Sequence, residues 1–147
     1  STAVDVLVSV VLLAVLLVMN RIWAGPPILL LPLWLLVITA AGLGIGLMTS
    51  ALMVRYRDVQ YVVPVAMQLL LFASPVAYAA SAAPASAQWA YTINPLTSLL
   101  EGVRWSVLGT AAPSTGSVVY GVGMSVLVLI VGMLVFGRME RQFADVI

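Results

Sequence analysis

The sequence predicts an all-α integral membrane domain: four transmembrane helices, with a short re-entrant or interfacial helical pair between the third and the fourth. Three observations predict it. Hydrophobic residues fill 63% of the 147 positions and charged residues only 7%, whereas soluble domains carry roughly 45–50% apolar and ~25% charged residues. The apolar residues gather in four long stretches. Between the second and third stands a charged cluster, Arg55, Arg57 and Asp58. Each such side chain costs about 2.5–3.5 kcal/mol at the centre of a membrane helix. The cluster therefore marks a membrane surface and sets the direction of the helices flanking it.

What is missing narrows the chemistry. Cysteine and histidine are absent, which removes thiol nucleophiles, histidine-based triads and ordinary zinc sites. Lysine is absent as well, so no Gly-x-x-x-x-Gly-Lys-Ser/Thr phosphate loop exists here. Any nucleotide chemistry belongs to a partner. The net charge of +1 gives no reason to expect nucleic acid.

The first stretch, 4–23, is broken only by Asp5 and is long enough for ~30 Å of hydrocarbon. Asn20, Arg21 and Trp23 mark an interface, and Gly25-Pro26-Pro27 turns the chain. The second, 28–54, must tilt or project beyond the bilayer. The third, 59–79, contains Pro64 and Pro75. Beginning it after Pro64 leaves too few residues to cross, so both prolines are expected inside a bent helix, which membrane neighbours tolerate. The fourth is 118–137.

The outer region, 83–108, differs in character. An Ala/Ser/Pro connector leads to Trp89, Tyr91 and Asn94-Pro95, where Asn94 suits an N-cap and Pro95 the first helical position. Leu96, Leu99, Leu100, Val103 and Val107 recur as one helical apolar stripe, with Thr97, Ser98, Glu101, Arg104 and Trp105 opposite. A helix of about 14 residues is too short to cross and is expected to lie in the interface or dip and return. Glu101 and Arg104 are three apart and can pair across one turn. They serve either as an exposed pair of small energetic weight or as a polar lining at the outer mouth of a pathway. Gly42, Gly46 and Ser50, four apart with Gly44 nearby, offer a close-approach face, as do Gly121, Gly123 and Gly132.

Four spans place both chain ends and the 54–58 turn on one side. That side holds Arg55, Arg57, Arg138 and Arg141, against Arg21 and Arg104 on the other, so it is assigned to the cytoplasm. The chain begins Ser1-Thr2 and turns apolar within four residues, without a basic flank or cleavage site. Further sequence upstream is expected.

Five pieces then occur in one order: Arg55-Tyr56-Arg57-Asp58-Val59, Phe72-Ala73-Ser74-Pro75-Val76-Ala77-Tyr78, Asn94-Pro95-Leu96, Glu101-Gly102-Val103-Arg104, and the tail from Arg138 to Ile147. Together they resemble the type-2 ABC transporter permeases, in the branch that exports O-antigen, capsular polysaccharide and teichoic acid. The resemblance covers residues ~42–147; residues 1–41 match only as apolar spans. It implies six spans per subunit, of which this chain holds the last four, in a homodimer with two separate ATPase subunits in the bacterial cytoplasmic membrane. It implies no cofactor in this chain, with ATP and Mg bound by the partner ATPase, and a polyprenyl-diphosphate-linked glycan passing outward. Arg55, Tyr56, Arg57 and Asp58 would form the ATPase-side turn, Asp58 capping the next helix and the arginines meeting acidic groups or lipid phosphate. Simple interfacial anchoring is the alternative. Phe72, Tyr78, Trp89, Tyr91 and Trp105 are candidates for the sugar path, or else an aromatic belt. A drug or lipid exporter and a non-transporting four-helix scaffold are the other functional classes.

Overall fold

The computed structural model describes residues 2–20, 25–74 and 88–144; the side chains of 2, 3, 6, 72, 73, 90 and 141–144 lie outside that description. Every regular element among the described residues is helical. In order they are α1 (Thr2–Met19), a 3-10 turn (Pro26–Leu30), α2 (Leu31–Arg55), α3 (Val59–Ala73), α4 (Gln88–Ile93), α5 (Pro95–Leu108) and α6 (Thr115–Ala144). Two helices are long and apolar enough to cross a membrane: Pro26–Arg55, counting its 3-10 lead-in, and Thr115–Glu140. Shorter apolar helices cover Leu7–Met19 and Val59–Leu71.

The ends of these elements follow local chemistry. Pro32 opens α2, where a missing N–H is not needed. The first and third stretches give helices shorter than expected. In α1 the helix stops at Met19, and Asn20 donates from its side chain to the Leu16 carbonyl (2.8 Å). Pro64 lies inside α3, but Ser74 is already extended (φ −105°, ψ 136°), as the residue before a proline prefers. The expected bend at Pro75 lies outside the described residues. The fourth stretch, read as 118–137, instead begins at Thr115 and runs to Ala144. Ser114 starts it: its Oγ accepts from Ser117 N–H (3.2 Å), and Ser117 Oγ donates to the Ser114 carbonyl (2.8 Å).

Packing centres on α2, α5 and α6, with α2 against α6 the most extensive contact. The core is Trp34, Val37 and Leu99, flanked by Ile38, Leu96, Val103, Val118 and Val122. Ten residues further along α2, Gly44 meets Val128 and Leu129 of α6. Both helices advance together between these two levels, so they run parallel. The two chain segments thus end at the same pole, with Arg55 and Arg138 beyond the glycine contact and α5 at the opposite pole.

Two sequence expectations about packing are corrected. On α2 the close approach is made by Gly44 in place of Gly42 and Gly46: its Cβ would lie 2.6 Å from Val128 O, and Gly132, as expected on α6, abuts the Gly44 carbonyl. Gly42, Gly46 and Gly123 have nothing within 4 Å. Second, the polar face of α5 is not exposed to bulk: Thr97, Ser98, Glu101 and Arg104 face a cleft instead. The helix's buried residues are Thr97, Ser98, Leu99, Gly102, Ser106 and Val107, and none from Pro95 to Val107 is exposed. The reason is size. Ser98, Gly102 and Ser106, spaced by four, admit neighbouring helices: the Trp34 indole would lie 2.7 Å from a Cβ on Gly102, and Gly121 abuts Ser98 and Pro95.

Elsewhere large apolar side chains face outward on every side. On α1 Val4, Leu7, Val8, Val11, Leu12, Leu16 and Val18 are all exposed, as are Tyr61, Val65, Met67, Leu69 and Leu71 on α3. A helix that is apolar all round is stable only when lipid or protein covers it.

Candidate functional site

Two polar regions stand at opposite ends of α2. The first is the turn after it. Arg55, Tyr56, Arg57 and Asp58 are all exposed. Tyr56 N–H donates to the Leu52 carbonyl (2.7 Å), closing α2, and Val59 N–H donates to the Tyr56 carbonyl (3.1 Å). The Arg55 guanidinium carbon stands 5.6 Å from the Tyr56 ring centroid, within cation–π range. Asp58 occupies the N-cap position of α3, but its side chain makes no capping bond; its carbonyl accepts from Tyr61 N–H (3.1 Å) instead. The carboxylate and both guanidinium groups therefore project from a tight turn with no burial to offset.

The second region is a cleft of about 660 Å³ between α4, α5, the 110–114 segment and the start of α6. From α2's far end at Arg55 to Trp34, which packs against α5, is ~32 Å at 1.5 Å per residue, close to one hydrocarbon thickness. Asn94 organises the entry: its Oδ1 accepts from Leu96 N–H (3.0 Å) as the N-cap of α5, and its Nδ2 donates to Ser74 Oγ (3.0 Å). Pro95 holds the first helical position. A buried bond from Trp34 Nε1 to Ser106 Oγ (3.0 Å) ties α2 to α5. Tyr120 OH donates to the Ile93 carbonyl (2.7 Å), tying α6 to the end of α4.

Of the residues singled out from sequence, the cleft brings together Tyr91, Asn94, Glu101 and Arg104. Trp105 is half-buried and Trp89 is 66% exposed, and neither lines it. Tyr78 and the Phe72 side chain lie outside the described residues. Sequence reading missed Tyr120, Ser117 and the 110–114 wall, which no local pattern connects to α5. It also missed Trp34, although the Ser98, Gly102 and Ser106 spacing signals a close helix partner. Thr97 is 8% exposed, and its Oγ1 has no hydrogen-bond partner among the described residues. Among the described residues no His, Cys, Asp and Glu group is placed to hold a metal ion.

A hydroxyl-rich cleft with one carboxylate and one guanidinium can hold a polar ligand by directed hydrogen bonds. An exposed arginine turn suits a protein or phosphate surface. Neither arrangement supplies a nucleophile with its base.

Known proteins locate this architecture. The chain is 27% identical over 107 residues to an O-antigen export system permease protein RfbA of Klebsiella pneumoniae, covering 71% of this chain and 40% of the relative. A second RfbA of the same organism is 28% identical over 123 residues, covering 78% and 46%. The chain thus spans less than half the length of these curated relatives. No solved structure matches it. The profile of the family described as ABC-2 type transporter matches residues 1–108, a range that takes in α1 to α5 with both the arginine turn and most of the cleft's polar side chains. The chain belongs to the ABC-2 type transporter family of membrane proteins.

Proposed function

We propose that this chain is part of the permease subunit of an ATP-driven exporter that moves a lipid-linked polysaccharide, of O-antigen, capsule or teichoic acid type, across the bacterial cytoplasmic membrane. The observation that carries the reading is the likeness to two O-antigen export permeases over 71% and 78% of the chain. The separation of the arginine turn from the polar cleft by about a hydrocarbon thickness is what such a subunit requires.

In this reading α1, α2, α3 and α6 are four spans with both chain ends cytoplasmic, and α4 with α5 dips in from outside and returns. The subunit works as a homodimer beside an ABC ATPase that binds ATP and Mg; this chain, lacking lysine, carries neither. Arg55, Tyr56, Arg57 and Asp58 meet the ATPase or lipid phosphate. The glycan, carried on polyprenyl diphosphate, passes the aromatic residues Phe72, Tyr78, Trp89, Tyr91 and Trp105, with Glu101 and Arg104 at the outer mouth. No nucleic acid is involved.

The test is transport of lipid-linked glycan into vesicles holding the permease and its co-purified ATPase. Arg57→Ala is expected to reduce export while membrane insertion stays intact. Unchanged export in that variant would remove the coupling role, and failure of the complete complex to move any glycan would remove the function.

A further inference from the structure

We propose that the cleft between α4, α5 and the start of α6 is a binding site for a short uncharged saccharide of one or two rings. The inference deepens the export reading and rests on it for the choice of sugar over other polar ligands. The cleft's size comes first. Its volume of about 660 Å³ falls within the range of small-molecule sites, ~300–1,000 Å³.

Charge narrows the ligand. Glu101 and Arg104 are the charged residues of the lining and are opposite in sign, so the site has no surplus charge to hold a phosphate or a diphosphate. Most other polar groups in the wall are hydroxyls and amides, which match ligand hydroxyls one for one. A carboxylate accepts from two neighbouring O–H groups, and a guanidinium offers several donors in a fixed plane.

Thr97 supplies the independent observation. It lines the cleft, it is 8% exposed, and its Oγ1 is buried with no partner among the described residues. Buried hydroxyls are nearly always paired. A ligand hydroxyl that reaches it from the cleft would supply the missing bond. Aromatic surface completes the site. Tyr91 is half-buried in the wall, and Tyr120 is held there by its 2.7 Å bond to the Ile93 carbonyl. Rings fixed in advance stack on sugar faces with little ordering cost.

The experiment uses the permease in lipid nanodiscs and saturation-transfer NMR with the methyl glycosides of glucose, galactose, mannose and N-acetylglucosamine. Inorganic phosphate and phosphoethanolamine are the comparison probes. At least one glycoside is expected to saturate. Glu101→Gln weakens it about 10–100-fold, as loss of a charged hydrogen bond does, and Thr97→Val about 3–10-fold, as loss of a neutral one does. Asp5→Asn on α1 binds as the parent does. Thr97→Val also unfolds no more easily than the parent, because the hydroxyl it removes has no partner among the described residues. Weaker binding without weaker folding is the mark of a ligand contact.

No saturation by any glycoside, or equal binding by Glu101→Gln, overturns the proposal. So does saturation by phosphate or phosphoethanolamine in place of the glycosides. Vesicle export separates the two readings. Export without saccharide binding at the cleft defeats this inference alone. Saccharide binding without export by the complete complex defeats the export reading.

Discussion

Replacing Gly44 with alanine adds one methyl group where α2 and α6 touch backbone to backbone. That methyl would lie 2.6 Å from Val128 O and 2.7 Å from Leu129 Cα and N. None of these atoms belongs to a side chain that can rotate away. The helices must part by about 0.8 Å to reach the 3.4 Å of ordinary contact, and a gap of ~0.5–1 Å forfeits a quarter to a half of the dispersion energy at each facing pair. Overpacking of this kind costs about 1–3 kcal/mol, partly offset by alanine's helix preference of about 1 kcal/mol over glycine. The expected net loss is ~0–2 kcal/mol. It is read as a lower midpoint in SDS unfolding from mixed micelles, followed by tryptophan fluorescence, since Trp34 is buried where the three helices meet. Gly132→Ala strains the same contact from the other side, so the double variant loses less than the two singles together. Gly42→Ala and Gly46→Ala meet nothing within 4 Å and should match the parent or gain up to ~1 kcal/mol. Gly44→Ala unfolding together with Gly42→Ala would refute the assigned interface.

Trp34→Phe and Ser106→Ala each leave a buried group unpaired and should cost about 1–3 kcal/mol; together they should cost less than their sum, and strict additivity in the same titration would deny the 3.0 Å bond between them. Asn94→Ala removes the cap on Leu96 N–H and the link to Ser74, costing ~0.5–2 kcal/mol, seen as faster amide exchange over the first turn of α5; unchanged exchange there would count against the cap. Purified without a partner, the protein should release no phosphate from ATP. Hydrolysis that follows the protein through purification would contradict the loss of any phosphate loop.

Much of this was readable from residues alone, because the signals are local. Asn94-Pro95 marks the start of α5, and the five-piece order from Arg55 onward points to the family. The glycines were harder. Gly42 and Gly46 share a face by their spacing of four, but Gly44 lies about 200° around the helix from Gly42, and only tertiary packing decides which side α6 meets. The same limit applies to α5. Its polar and apolar positions were correctly separated, yet Ser98 and Ser106 are buried, because small side chains let helices close in where larger ones would hold them off. Tyr120 reaches Ile93 across 27 residues, a distance over which no pattern in the chain speaks.

α2 has the geometry of a lever. Its closest approach to α6, at Gly44 and Gly132, would serve as the fulcrum, ~15 Å from Trp34 and ~16 Å from Arg55. With arms so nearly equal, rocking that displaces the guanidinium end by about 1 Å swings the indole end by about 1 Å the other way. Such a stroke would arrive neither magnified nor lost, and the seat of that indole is the helix whose side chains line the cleft.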